Sequence, residues 1–214
     1  MTEITLKVRP LVFHHSFNNS SLNKSGKVIL PEKVLKDILD ISGNNIEFPL
    51  TFTLVKEGTD IISVGVEEFS ALGEYIYVPQ FIMEHYWLPQ ESKLMIRNIH
   101  PPKGIKIELE PHKTAFIDSP AKEKAFLEFY INKHYPVLQK GSTILIHQDG
   151  NDFYINIKDT FPEEIISTVD TDLVVEFAQP LDYVEPLPPS VIENMPMPRG
   201  HFVPFAGKGY RLGH

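Results

Sequence analysis

The 214-residue chain has no cysteine. That excludes disulfides, thiolate zinc sites and cysteine nucleophiles, and it fits a reducing compartment. No run approaches the roughly 18 to 20 apolar residues that a membrane span needs, and the first residues lack the basic–apolar–small pattern of a secretory leader. There is no excess of positive charge either: 20 Lys/Arg stand against 28 Asp/Glu, a net charge of −8. The imbalance is local. Residues 1–115 carry 12 basic and 14 acidic side chains, residues 116–183 carry 5 and 12, and residues 184–214 carry 3 and 2. A concentrated acidic middle has the wrong sign for a phosphate backbone, so nucleic acid is not an expected partner. Two readings of these acids stay open: a solubilising surface, or a docking face for a basic protein. Apolar residues make up 42% and charged residues 22% of the chain, enough for one large domain or two modest ones with a sizeable core.

What is present is a pattern that occurs twice. Val28-Ile29-Leu30-Pro31 is followed by Val34, Leu35, Ile38 and Leu39; Ile76-Tyr77-Val78-Pro79 is followed by Ile82, Met83, Tyr86 and Trp87, each apolar position recurring 48 residues later. A β-rich run ending at proline predicts a strand followed by a helix with proline in its first position, where the missing N–H is not needed. The apolar spacing that follows predicts one buried stripe on that helix. A further strand-like run follows each copy, Leu50 to Val55 and Leu94 to Arg97. Two such units predict a compact barrel with internal twofold pseudosymmetry. Residues 104–109 alternate as a strand, and Pro111-His112 is expected to close this unit, with a boundary at 115.

Residues 116–183 predict a smaller mixed α/β unit. Ser119-Pro120 supplies N-cap and first-turn residues for a helix whose buried face is Phe126, Leu127, Tyr130, Ile131 and His134. Strands are expected over 141–146, 153–157 and 165–177, with Asp149-Gly150-Asn151 as a hairpin turn. Residues 184–214 form a third region. Seven of the 18 prolines lie between Pro180 and Pro204, and no helical or strand period survives, the composition of a disordered, semi-extended spacer. The spacer ends in Phe205-Ala206-Gly207-Lys208-Gly209-Tyr210-Arg211-Leu212. Two apolar anchors separated by glycines suit an extended peptide laid against another protein, with Lys208 and Arg211 at the rim.

Catalytic patterns are weak. Asp118 and Asp170 lack the glycine of an aspartic-protease loop, and Gly207-Lys208-Gly209 lacks the spacing of a phosphate loop. His14 and His15 would point to opposite faces of a strand. His85 and His134 fall on predicted helices and His112 and His147 at strand ends, with no metal-ligand spacing among them. No catalytic residue, metal site or cofactor is expected. The alternative is a small barrel enzyme with a substrate cleft between the two units.

Several segments, in this order, resemble the ubiquitin fusion degradation family of adaptors. They are Gly26-Lys27-Val28-Ile29-Leu30-Pro31, Phe48-Pro49-Leu50-Thr51-Phe52, Gly65-Val66-Glu67-Glu68-Phe69, Tyr77-Val78-Pro79, Lys103-Gly104 through Leu109 to Phe116-Ile117-Asp118, Thr168 to Asp172, and Val175-Glu176-Phe177-Ala178 into Pro180 to Tyr183. The resemblance implies a double-psi β-barrel over 1–115, a mixed α/β subdomain over 116–183 and a disordered tail over 184–214. It also implies a non-catalytic adaptor that binds ubiquitin and ubiquitin chains on client proteins. Such an adaptor recruits clients to the N-terminal domain of the valosin-containing AAA ATPase for proteasomal degradation, including ER-associated degradation. Phe205, Gly207, Gly209 and Leu212 match the family's ATPase-binding motif position by position. Cytoplasmic and nuclear locations follow, including the cytosolic face of the endoplasmic reticulum. The resemblance names no ubiquitin-contacting residue; the helix from Pro120 and the strands around Asp149 to Asp159 are the candidates. Tyr210 stands where a polar amide is common in the family. Family members continue past the motif into a segment that holds a nuclear-protein-localisation-type co-adaptor, so with the chain ending at His214 either this is a piece of a longer protein or that contact is missing.

Overall fold

A computed structural model describes residues 3–15, 21–42, 46 and 48–185. Its first half is built from two units of identical order. Strands β1 (Glu3–Pro10) and β2 (Lys27–Pro31) lead into helix α1 (Glu32–Ser42) and strand β3 (Thr51–Lys56). Strands β4 (Thr59–Ala71) and β5 (Tyr75–Val78) lead into α2 (Gln80–His85) and β6 (Lys93–Ile99).

The six strands close into a ring in the order β1-β5-β2-β4-β3-β6. Exchanging the two units leaves this ring unchanged, pairing by pairing. The parallel β1–β5 ladder corresponds to the parallel β2–β4 ladder, and the antiparallel β1–β6 ladder to the antiparallel β3–β4 ladder. The symmetry axis crosses between β2 and β5, whose one antiparallel pair is Ile29 with Tyr77, residues 48 apart. The repeat read in the sequence is therefore a symmetry of the fold.

The repeat differs from expectation in two details. Both prolines stand just before their helices rather than inside them: Pro31 is the last residue of β2, and Pro79 caps α2 with ψ 139°. The buried stripe also stops one position early in both copies. Val34, Ile38, Ile82 and Met83 are buried, but Leu39 is 43% and Trp87 81% exposed. In the second copy the helix has already ended, and Trp87 has left it with φ 50°.

The second half contains β7 (Lys106–Pro111), α3 (Thr114–Ile117), α4 (Lys124–His134), β8 (Val137–Gln139), β9 (Thr143–Gln148), β10 (Asn151–Phe161), β11 (Ile165–Ser167) and β12 (Val174–Phe177). A four-stranded sheet runs β12-β7-β10-β9, and β8 pairs with β11. This moves one expected boundary. β7 does not close the barrel unit; it sits between β10 and β12. Alternation makes a strand but is silent on its neighbours. Ser119 caps only a single helical turn, Pro120–Lys122, through a bond from the Ala121 amide, and α4 begins afresh at Lys124. The hairpin turn is as read: Asp149 and Gly150 have φ 51° and 82°, the pair of positive values that a two-residue type I′ turn requires. The strand expected over 165–177 is broken between β11 and β12. There the hydroxyl of buried Thr168 donates to the Tyr135 carbonyl, and Asp170 turns the chain with φ 50°.

Two glycines let the halves meet. A Cβ on Gly26 would lie 2.5 Å from the Tyr135 ring, and one on Gly65 would lie 2.1 Å from Pro136 Cγ. The Gly26 amide donates to the His134 carbonyl at 3.0 Å, and the Gly65 amide to the Gly26 carbonyl at 2.9 Å. One apolar core runs through this junction, from barrel residues such as Leu54 and Ile96 to Ile107, Ile131 and Ile155.

Candidate functional site

The acidic second half holds the candidate binding surface. One polar cluster joins the β9–β10 hairpin to Lys24, which precedes β2. Lys24 Nζ lies 2.9 Å from Asp152 Oδ1 and 2.7 Å from His147 Nδ1, and His147 Nδ1 lies 2.5 Å from the same carboxylate oxygen. Burial works to raise the Asp152 pKa, but the hydrogen bonds from Lys24 and His147 outweigh it and hold the carboxyl below its ordinary range. On the far end of β10, Asp159 is likewise lowered, by Lys140 at 2.9 Å and by the Thr160 amide. These acids are thus committed to structural partners. Asp149, at the exposed tip of the hairpin, has no ion-pair partner among the described residues.

On α4, the buried face is Leu127, Tyr130, Ile131 and His134; Phe126, also expected there, is only half-buried, and Phe129 is 63% exposed. Lys133 hangs over the Phe129 ring, 5.4 Å from its centroid. An exposed aromatic ring on the acidic half of the body is an apolar anchor that a partner surface can cover. His134 is nearly buried, and its pKa is lowered to about 4, first by burial and then by Lys133 and Lys27, with Glu67 opposing.

Strand β9 is the sheet's edge on the barrel side, and three tyrosines seal it. The outward amide of Thr143 donates to the Tyr86 hydroxyl at 3.2 Å, that of Leu145 to Tyr135 at 2.8 Å and that of His147 to Tyr130 at 3.0 Å. Tyr135 returns a bond to the Leu145 carbonyl at 2.7 Å, and Tyr130 donates to the Lys24 carbonyl at 3.3 Å. Burial raises the pKa of all three phenols, so the hydroxyls stay protonated and can serve both roles. Sequence reasoning placed Tyr86 and Tyr130 on apolar stripes and missed this use. The available signal was that a tyrosine on a buried face must find a partner for its hydroxyl.

The cleft between the halves is a cavity of about 220 Å³ lined by residues including Phe48, Thr51, His100, Lys103, Ser167 and Asp170. Among the described residues no hydrogen bond joins His100, Ser167 and the Asp170 carboxylate. Lys103 is occupied by the Asp170 carbonyl at 3.3 Å.

The histidines divide differently from expectation in one place. His14 and His15 follow a short helical turn, not a strand, and their rings lie 4.4 Å apart rather than on opposite faces. Among the described residues no cluster of three or more His, Asp or Glu could hold a metal, and no helix is long and apolar enough to cross a membrane. Phe205, Gly207, Gly209 and Leu212, with the rim residues Lys208 and Arg211, lie outside the described residues.

Comparison with known proteins divides the chain in the same place as the ladders do. Residues 3–102 match the family model described as Ubiquitin fusion degradation protein UFD1, N-terminal subdomain 1, and residues 103–180 match that of its N-terminal subdomain 2. The chain is 34% identical to Ubiquitin fusion degradation protein 1 of Saccharomyces cerevisiae over 77% of its own length and 45% of the relative's. With the Dictyostelium discoideum homolog the identity is 30%, covering 79% and 50%. With the mouse protein named Ubiquitin recognition factor in ER-associated degradation protein 1 it is 27%, covering 91% and 65%. The chain thus spans between about half and two-thirds of the length of these relatives. With the two family subdomains together matching residues 3–180, the chain belongs to the ubiquitin fusion degradation protein family.

Proposed function

We propose that this protein is a non-catalytic adaptor: the body formed by residues 3–183 binds ubiquitin or ubiquitin chains on client proteins, and the motif Phe205-x-Gly207-x-Gly209-x-x-Leu212 recruits the valosin-containing AAA ATPase through its N-terminal domain. The observation that carries the reading is the joint match of both family subdomains, in a family whose relatives are named for ubiquitin recognition and ER-associated degradation. The acidic balance of residues 116–183 and the exposed Phe129 on α4 support a surface for a partner that is apolar at its centre and basic at its rim. We read the twofold ring as a double-psi β-barrel, and 1–115, 116–183 and 184–214 as barrel, recognition and recruiting regions, with β7 belonging structurally to the second. A nuclear-protein-localisation-type co-adaptor would complete the assembly, at the cytosolic face of the endoplasmic reticulum and in the nucleus.

The mechanism is linkage. A weak grip on the tag and a weak grip on the motor combine through the tether, which raises the local concentration of one for the other. Titration calorimetry of the full chain with mono-ubiquitin and with ubiquitin chains, at two ionic strengths, tests the recognition half. Binding that weakens as salt rises is expected, because charge complementarity is screened. Absence of binding to either species would overturn the reading.

A further inference from the structure

The two edges of the four-stranded sheet are treated in opposite ways. On β9 the outward amides of Thr143, Leu145 and His147 are each taken by a tyrosine hydroxyl. On β12 nothing comparable exists. The Val174 amide donates to the Ile105 carbonyl and the Ala178 amide to the Leu109 carbonyl, both at 2.9 Å, which directs the even-numbered residues toward β7. The N–H and C=O groups of Val175 and Phe177 therefore face away from the sheet, and no described residue bonds to them.

Edge strands are ordinarily blunted by a proline, a lysine on the edge, a bulge or a covering loop. β12 (Val-Val-Glu-Phe) is only four residues long, which limits how far pairing can extend, but it carries none of these devices within its span. Its side chains also specify what would fit. Phe177 is 39% exposed although its ring approaches Phe116 at 5.9 Å, so one flank of an apolar face is left uncovered. On the opposite face Glu176 pairs with Lys106 at 2.7 Å, turned toward β7 and away from the open side. Beyond Val174 the same chain runs into a groove of about 350 Å³ lined by Glu128, Asn132, Val169, Asp170, Thr171 and Asp172. Two of its three carboxylates share one cation, Lys124, at 3.2 Å from Glu128 and 3.8 Å from Asp172, and the Asp170 carboxylate has no ion pair among the described residues.

We propose that β12 is a docking edge for an extended, basic polypeptide segment, which adds to the sheet as a fifth strand. Main-chain bonds to Val175 and Phe177 would hold it. Apolar side chains at alternate positions would cover Phe177, and the intervening Lys or Arg residues would reach the carboxylates of the groove. This activity is separate from recognition of a folded tag: it reads extended backbone, as offered by an unfolded stretch of a client. It stands whether or not ubiquitin binds elsewhere on the body.

The test uses the isotope-labelled full chain and an acetylated, amidated eight-residue peptide of alternating valine and lysine. The expected result is saturable shifts of the Val175 and Phe177 amides. Binding should be lost when the peptide's valines are N-methylated or its lysines are replaced by glutamate. Val175→Pro removes one outward N–H and no bond to β7, and Val175→Ala removes the same packing but keeps the N–H. The proline variant should bind about fivefold or more weakly than the alanine variant. Equal affinities for the two variants, or peptide binding that survives N-methylation or leaves the β12 amides unmoved, would overturn the proposal.

Discussion

The barrel and the second sheet solve one problem in two ways. Every strand exposes a row of backbone donors and acceptors that must be paired or sealed. In the barrel the ring β1-β5-β2-β4-β3-β6 closes on itself and has no edge to manage. The second sheet is open, with one edge sealed by Tyr86, Tyr130 and Tyr135 and the other, β12, bare. The closed half is suited to be a rigid support; the open half keeps main-chain groups available and carries most of the net negative charge. On the proposal made above, binding capacity in this body lies where the sheet is unfinished.

The contrast can be broken most severely at the seam between the halves. Gly65→Ala puts a methyl 2.1 Å from Pro136 Cγ, and neither backbone nor ring can yield cheaply. A loss of about 3 kcal/mol is expected in urea unfolding, the upper end for overpacking a core. A wild-type midpoint in this variant would mean that the two halves are not packed as described.

Acid tests the same seam by a different route. His134 has its pKa lowered from 6.5 to about 4 by burial, so between these values the unfolded chain binds the extra proton and the folded chain does not. Stability is unaffected above pH 6.5. It falls as pH drops through that window, by up to about 3 kcal/mol once below pH 4, at 1.36 kcal/mol per unit. His134→Gln should flatten this part of the pH–stability curve relative to wild type, and identical slopes would show that His134 is not the group responsible.

The sealed edge is sharpened by Tyr135→Phe, which keeps the ring and leaves the Leu145 amide and carbonyl without their partner. About 2 kcal/mol is the expected cost, the penalty for stranding buried polar groups, with faster hydrogen exchange at the Leu145 amide. Unchanged exchange would argue that the tyrosines do not seal β9. The smallest effect has the opposite sign. Trp87 occupies the left-handed position that ends α2, where the Leu88 amide reaches the Met83 carbonyl at 2.8 Å and the Trp87 side chain is 81% exposed. Trp87→Gly should raise the melting temperature slightly, by up to about 1 kcal/mol of added stability, because glycine enters that conformation without strain. A lower melting temperature would mean that the indole contributes packing.

Much of the barrel was legible because two signals coincided at Pro31 and Pro79: a β-rich run and a helical stripe, repeated at one spacing. The stripe failed at Leu39 and Trp87 because periodicity cannot see that a helix has ended or that its last turn overhangs the core. Strand β7 was readable as a strand but not as a partner of β10 and β12, since pairing is decided by tertiary contacts. The sealed and bare edges were invisible for the same reason. A tyrosine's sequence position does not reveal which strand its hydroxyl reaches. For the binding surface, composition located the acids in residues 116–183, yet it could not separate Asp152 and Asp159, locked to Lys24 and Lys140, from Asp149, which is not. The proposed recruiting motif is the reverse case: read from its residues alone, and outside the part of the chain the structure describes.

The adaptor reading is tested most directly by separating its two ends in one chain. Phe205→Ala with Leu212→Ala should weaken capture of the ATPase N-terminal domain by roughly 2 kcal/mol or more, the loss expected for a buried aromatic anchor, while the affinity for ubiquitin chains stays at the wild-type value. ATPase capture undiminished by the double variant, or ubiquitin affinity falling in step with it, would contradict the account.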